Sequence, residues 1–169
     1  VTGQGSVTGE ALAMSMDVDV LVFTGSGGVG RRLLEYSARS NLKRVYLELG
    51  GKSPNIVFAD APGLAKAAKV SAMGIFRNSG QVCVAGSRLL VERSVHDDFV
   101  ALMAAEAEKL KVGDPLDLET QIGAVNSIPQ LEGNLGFVEK ALAEGAEAVT
   151  GGGRILQETG GYYMAPTIL

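Results

Sequence analysis

The 169-residue chain has one cysteine, Cys83, and one histidine, His96. A single thiol cannot close an internal disulfide. That usage suits a reducing compartment, and a cytoplasmic location is the expectation. A structural zinc site takes four ligands, mostly Cys and His, so no metal is expected. Positive charge is not in excess: 15 Lys+Arg stand against 19 Asp+Glu, for a net charge of −4. No basic patch stands out, so nucleic acid is not an expected partner. No apolar run approaches the roughly 18 residues of a membrane span, and no signal-peptide pattern is visible. Internal repeats and low-complexity segments are also lacking.

The bulk of the chain is ordinary for a soluble globular protein, with 46% hydrophobic and 20% charged residues. A glycine loop (Gly3, Gly5, Gly9) leads into a short helix over Glu10 to Met14. The Val-rich run 17–23 predicts a strand buried on both faces of a parallel sheet. A glycine turn follows, then a helix from about Arg31 to Ser40, then a second strand over 43–48: one βαβ unit. Next come a strand over 55–58 and a helix over Leu64 to Phe76, with Pro62 expected at its first position. A strand over 88–92 precedes a helix carrying Val95, Phe99, Leu102, Met103 and Leu110, with Ser94 as the expected cap. Leu131, Leu135, Val138 and Leu142 mark a further helix, and 146–150 reads as a short strand. Strand and helix alternate throughout, so the class is α/β.

Two stretches carry chemistry. Gly25-x-Gly27-x-x-Gly30 matches a dinucleotide fingerprint, and it lies between a strand and a helix as that motif requires. Helix N-termini favour phosphate, because free N–H groups and the helix dipole both point at the anion. Glu48, 18 residues after Gly30 at the end of the next strand, is open to three readings. It could hold a ribose hydroxyl, act in catalysis beside the close-approach turn Gly50-Gly51, or be a solvated strand end beside Lys52. The second stretch, Gly80-Gln81-Val82-Cys83-Val84-Ala85-Gly86-Ser87-Arg88, brackets the thiol between glycines. Cys83 is either a nucleophile or a core packing thiol.

Three motifs then fall in order: Phe23-Thr24-Gly25-Ser26-x-x-x-Gly30, Leu47-Glu48-Leu49-Gly50-Gly51-Lys52-Ser53-Pro54 and Gly80-Gln81-Val82-Cys83. Glu48 and Cys83 lie 35 residues apart. In these motifs, and in Asp114-Pro115-Leu116 and the final Gly160-Gly161-Tyr162-Tyr163-x-x-Pro166-Thr167, the chain resembles the NAD(P)-dependent aldehyde dehydrogenase superfamily. Around 56–60 and 124–127 it looks most like the γ-glutamyl-γ-aminobutyraldehyde and related aminoaldehyde dehydrogenases.

The resemblance implies an aldehyde-dehydrogenase-like α/β fold. Residues 1–49 would be the C-terminal part of a Rossmann-type cofactor-binding domain, and 50–169 the N-terminal part of the catalytic, thiol-bearing domain. It implies Cys83 as nucleophile and Glu48 as general base. Gly5, Phe23, Thr24, Gly25, Ser26, Val29, Gly30 and Leu49 would contact NAD or NADP, and Gly27 is incidental. The implied partner is a small aldehyde, and the parent protein is expected to be a homo-oligomer.

Oxidising an aldehyde by hydride transfer requires a tetrahedral centre, which a cysteine thiolate can form as a thiohemiacetal. The family's oxyanion asparagine and ribose-contacting lysine fall upstream of Val1, and its Glu-x-Phe segment and oligomerising strand fall beyond Leu169. The 169 residues are therefore expected to be a fragment, inactive alone. Arg77-Asn78-Ser79 departs from the more aromatic, Gln-like run expected there. The alternatives are a CoA-acylating aldehyde dehydrogenase and a non-catalytic protein of the same fold. His96, flanked by Asp97 and Asp98, reads as a surface side chain.

Overall fold

The structure, a computed structural model, describes all residues from Val1 to Leu169. They form two compact units, Val1–Gly51 and Lys52–Leu169.

The first unit begins with a π-helical turn, Gly5–Gly9, that runs into helix α1 (Glu10–Met14). Strand β1 (Val20–Gly25) is followed after one residue by helix α2 (Gly27–Arg39), and strand β2 (Arg44–Leu49) pairs with β1 in parallel. Helix α2 starts four residues before the expected Arg31. Ser26 is the reason: its hydroxyl accepts the N–H of Val29 at 3.3 Å, which lets Gly27 and Gly28 enter the helix despite their low propensity. Ala13, Leu21 and Leu33 form the core, joined by Phe23, Tyr36, Val45 and Leu47. The expected burial of β1 on both faces is not met. Leu21 is buried, but Val22 and its register partner Tyr46 are 74% and 54% exposed on the opposite face.

A buried cation ties the helices together. Lys43 is 6% exposed, and its ammonium donates to the Ala13 carbonyl in the last turn of α1 and to the Ser40 hydroxyl. Ser37 in turn donates to the Lys43 carbonyl at 2.6 Å. Asn41 donates to the carbonyls of Met16 and Val18, and the Tyr36 hydroxyl donates to Glu10 at 2.9 Å.

In the second unit, β3 (Pro54–Val57) pairs in parallel with β4 (Arg88–Val91), and helix α3 (Leu64–Phe76) lies between them in sequence. Helix α4 (His96–Glu108) packs on α3. The interface uses Ala68, Ala72 and Phe76 from α3 and Phe99, Met103 and Ala107 from α4, two stripes of i, i+4, i+8 spacing. Alanine at two of the α3 positions lets the large Phe99, fully buried, seat against the helix. Helix α5 (Ile128–Ala143) is capped by Ser127, with Pro129 in its first turn. It buries Leu131 and Val138, with Leu135 half-buried. A short antiparallel pair, β5 (Arg154–Ile155) with β6 (Tyr163–Met164), completes the unit.

Three local expectations are corrected here. Pro62 precedes α3 rather than opening it, because Gly63 takes the cap in a left-handed conformation (φ 71°). Ser94 does not cap α4, since its hydroxyl donates to Glu92 at 3.0 Å. Residues 146–150 form no strand; Thr150 alone makes an isolated bridge to Ile168.

Candidate functional site

The βαβ unit gathers most of the residues singled out in the first unit at one strand end. The parallel register sets Thr24 beside Glu48 and Gly25 beside Leu49, at the carboxyl ends of β1 and β2. In open α/β sheets that edge is where ligands bind. Glu48 is exposed there, as are Thr24, Gly25 and Ser26. Helix α2 begins at the same edge, one residue after β1. Its geometry leaves the N–H groups of Gly27 and Gly28 without partners inside the helix. An anion approaching them would meet no side chain at either glycine and the positive end of the helix dipole.

The glycines of the turn do different work. A Cβ on Gly30 would lie 3.1 Å from Leu49 and 3.3 Å from Leu47, so Gly30 is buried and lets α2 sit close on β2. A Cβ on Gly25 would run into the Phe23 ring at 2.5 Å. Phe23 itself packs toward the core of the unit. A Cβ on Gly27 would have only the Arg31 guanidinium within reach, at 3.8 Å. Val29 is exposed on the first turn of α2, and Gly5 is exposed in the π-helical turn.

Cys83 lies in the second unit, in the connection from α3 to β4. It is exposed, so it is not a core thiol. Its neighbour Val84 is 74% exposed, whereas Ala85, two residues on, is 6% exposed and anchors the loop. The Ala85 N–H donates to the Val82 carbonyl at 3.1 Å, closing a tight turn around Cys83. Upstream, Asn78, Ser79 and Gly80 all have positive φ (53°, 54° and 72°). The Ser79 hydroxyl donates to the carbonyls of Gly123 and Ala124, at 2.8 and 3.2 Å. Downstream, a Cβ on Gly86 would approach Asn55 to 3.1 Å, and the Arg88 guanidinium donates to the Lys52 carbonyl at 2.8 Å. The loop is thus tied to β3, to the turn at 123–124 and to the start of the unit. The departure at Arg77-Asn78-Ser79 was visible in the sequence, but the contacts that Ser79 makes to Gly123 and Ala124, 44 and 45 residues away, were not.

His96 is exposed at the start of α4 and pairs with Asp97 at 2.8 Å. A mainly apolar cavity of about 900 Å³ is walled by residues of α3, α4, α5 and the chain end and, from the thiol loop, by Ser79, Gly80, Gly86 and Ser87; Cys83 itself does not line it.

Comparison with known proteins gives the context of these residues. The aldehyde dehydrogenase family model matches residues 1–169. Aldehyde dehydrogenase 1 of Tanacetum cinerariifolium is 44% identical over 168 residues, covering 99% of this chain and 33% of that protein. An indole-3-acetaldehyde dehydrogenase solved as its NAD+ complex superposes with a TM-score of 0.96 at 50% identity, over 98% of this chain and 33% of that one. A γ-glutamyl-γ-aminobutyraldehyde dehydrogenase from Burkholderia cenocepacia J2315 superposes with a TM-score of 0.91 at 49% identity, over 94% and 32%. The chain belongs to the aldehyde dehydrogenase family and spans about a third of the length of these relatives.

Proposed function

We propose that this member of the aldehyde dehydrogenase family forms part of an NAD(P)-dependent enzyme that oxidises a small aldehyde to the carboxylic acid. The observation that carries the reading is the exposed thiol of Cys83, held in a tied loop, in a chain matched by the family over its whole length. An aminoaldehyde is the favoured substrate class, from the likeness to the γ-glutamyl-γ-aminobutyraldehyde enzyme. The reading takes the protein to be cytoplasmic and its full-length form to be a homo-oligomer.

The β1–α2 turn suits a dinucleotide. Its free N–H groups at Gly27 and Gly28 match a diphosphate, and Gly25 and Ser26 leave the approach open. Thr24, Val29 and Leu49 border the same edge and would flank the bound cofactor. Gly5 and Phe23 join this set by resemblance, and Gly30 serves it by bringing α2 close to β2.

Cys83, once its thiol proton is lost, attacks the aldehyde carbonyl. A C–S bond forms, the carbonyl π pair moves to oxygen, and the backbone N–H of Cys83 is a candidate donor to that oxyanion. An oxidised nicotinamide, when bound, would accept hydride from the tetrahedral carbon as its C–H bond breaks and the oxyanion pair re-forms the carbonyl; Cys83 would then hold the acyl group on Sγ as a thioester. Glu48 is assigned as the base that takes a proton from water. The hydroxide equivalent adds to the thioester carbonyl, and collapse expels the Cys83 thiolate and releases the acid. A carboxylate in that role favours hydrolysis over transfer to a second thiol.

The test is made on the full-length protein that carries these residues. Aldehyde-dependent NADH or NADPH formation, free acid as product with or without coenzyme A, and loss of activity in Cys83→Ala are the expected results. An acyl-CoA product would move the protein to the acylating class. Full activity in Cys83→Ala, or a thiol that resists alkylation near neutral pH, would overturn the role given to Cys83.

A further inference from the structure

The segment just before the thiol is built in an unusual way. Asn78, Ser79 and Gly80 are three consecutive residues in the left-handed region, and two of them are not glycine. L-residues visit that region singly, because the Cβ crowds the following carbonyl oxygen there. Runs of this kind persist only where surrounding contacts over-determine them, and they cluster at functional sites. The contacts are identifiable here. The Asn78 side-chain amide donates to the Gln81 carbonyl at 3.0 Å, while the Gln81 N–H donates to the Asn78 carbonyl at 3.0 Å. The turn is therefore closed on both sides by one residue. The Ser79 hydroxyl, half-buried, bridges to the carbonyls of Gly123 and Ala124, 44 and 45 residues further along the chain.

Gly80 meets only the Ile75 carbonyl, at 3.4 Å from a built Cβ, so it bears the conformation without help. Asn78 and Ser79 bear it because their side chains are engaged. Cys83 follows three residues after this turn, and the turn sets the direction in which the loop leaves α3.

We propose that Asn78 and Ser79 are positioning residues for Cys83: their two side-chain donors hold a left-handed turn that aims the thiol. This rests on the reading of Cys83 as the nucleophile. Neither residue touches the reacting atoms; each acts by fixing the backbone from which Sγ projects. A shift of about 1 Å in a reacting group can cost about 100-fold in rate.

The experiment uses the full-length protein and three variants. Asn78→Gly and Ser79→Gly keep the left-handed backbone easy to form and remove each donor. Asn78→Asp keeps a residue tolerant of that backbone and replaces the donor by an acceptor facing the Gln81 carbonyl. Steady-state kinetics and the alkylation rate of Cys83, read by peptide mass, are measured at a temperature where each variant is folded by circular dichroism. Each variant should lose about 10-fold or more in kcat with KM within about twofold, and its alkylation rate should fall in parallel. Asn78→Asp should behave like Asn78→Gly, not like the parent. Parent-like kcat and alkylation in both glycine variants would overturn the proposal. A loss seen only as lowered melting temperature would do the same. Cys83→Ala is run beside them: if it keeps full activity, the nucleophile reading has failed, which is a different result from failure of the turn.

Discussion

Glu48 and Cys83 reach their settings by different physical routes. Glu48 is the fifth residue of β2, brought to the ligand edge by parallel pairing with Thr24. Its position was legible in the sequence as a carboxylate at a strand end. Its role was not, because a strand-end acid serves a ribose, a proton transfer or solvent equally well. Replacing Glu48 with Gln removes the proposed base and keeps the shape. In the full-length protein kcat should fall about 100-fold or more, with acyl-enzyme accumulating on Cys83 in rapid-quench mass spectrometry. A variant with unchanged kcat would return Glu48 to the cofactor or to solvent. Asp117 makes a pH-dependent case. The Lys111 ammonium at 2.7 Å, then the backbone N–H of Glu119, hold its carboxyl below the ordinary value of 3.8. A lowered folded-state value means the unfolded chain binds the proton more readily. The Asp117 contribution is therefore present above about pH 4 and is lost as pH falls through the lower folded-state value. In urea unfolding, the fall in stability from about pH 7 to about pH 2 should be smaller in Asp117→Asn than in the parent.

At the level of elements, periodicity found the helices and misjudged how they begin. The stripe through Phe99 and Met103 was readable because apolar residues repeat there at helical spacing. The start of α2 was not, since glycines argue against helix until the Ser26 hydroxyl is seen to accept from Val29. Ser94 looked like a cap by type, but Glu92 two residues earlier competes for its hydroxyl. Residues 146–150 have strand-like composition, yet their pairing stops at one isolated bridge, Thr150 to Ile168, where the Val149 N–H also donates to the Ile168 carbonyl. The tie between α1 and α2 had no sequence signal, because nothing local marks Lys43 as buried. Its ammonium satisfies the Ala13 carbonyl, a helix-end acceptor with no partner further along the chain. Lys43→Met keeps the volume and removes the donor. It should cost about 2 kcal/mol of stability by chemical denaturation, a charged hydrogen bond to a buried acceptor. It should also raise hydrogen exchange across α1 more than across α4.

For the whole molecule, the order of three motifs revealed the family, whereas the layout of exposed apolar surface emerged only from the structure. The strand composition of β1 suggested cover on both faces, but Val22 and Tyr46 lie side by side in the open. The β3–β4 pair repeats the arrangement, with Ile56 and Leu90 in register and 56% and 52% exposed. Both parallel sheets have only two strands. Two-stranded sheets are marginal in water, parallel sheets are ordinarily covered on both faces, and unpaired strand edges template association. The 169 residues, a third of the length of their relatives, therefore carry the loops of the proposed chemistry on two-stranded sheets with an exposed apolar face. Purified alone, this stretch should bind the apolar dye ANS, elute in size-exclusion chromatography as self-associated species, and give no aldehyde-dependent NADH. The full-length protein under the same conditions should be ANS-silent and active. A monodisperse, dye-silent 169-residue protein with robust turnover would mean that two-stranded sheets suffice to hold Cys83 and Glu48 in working order.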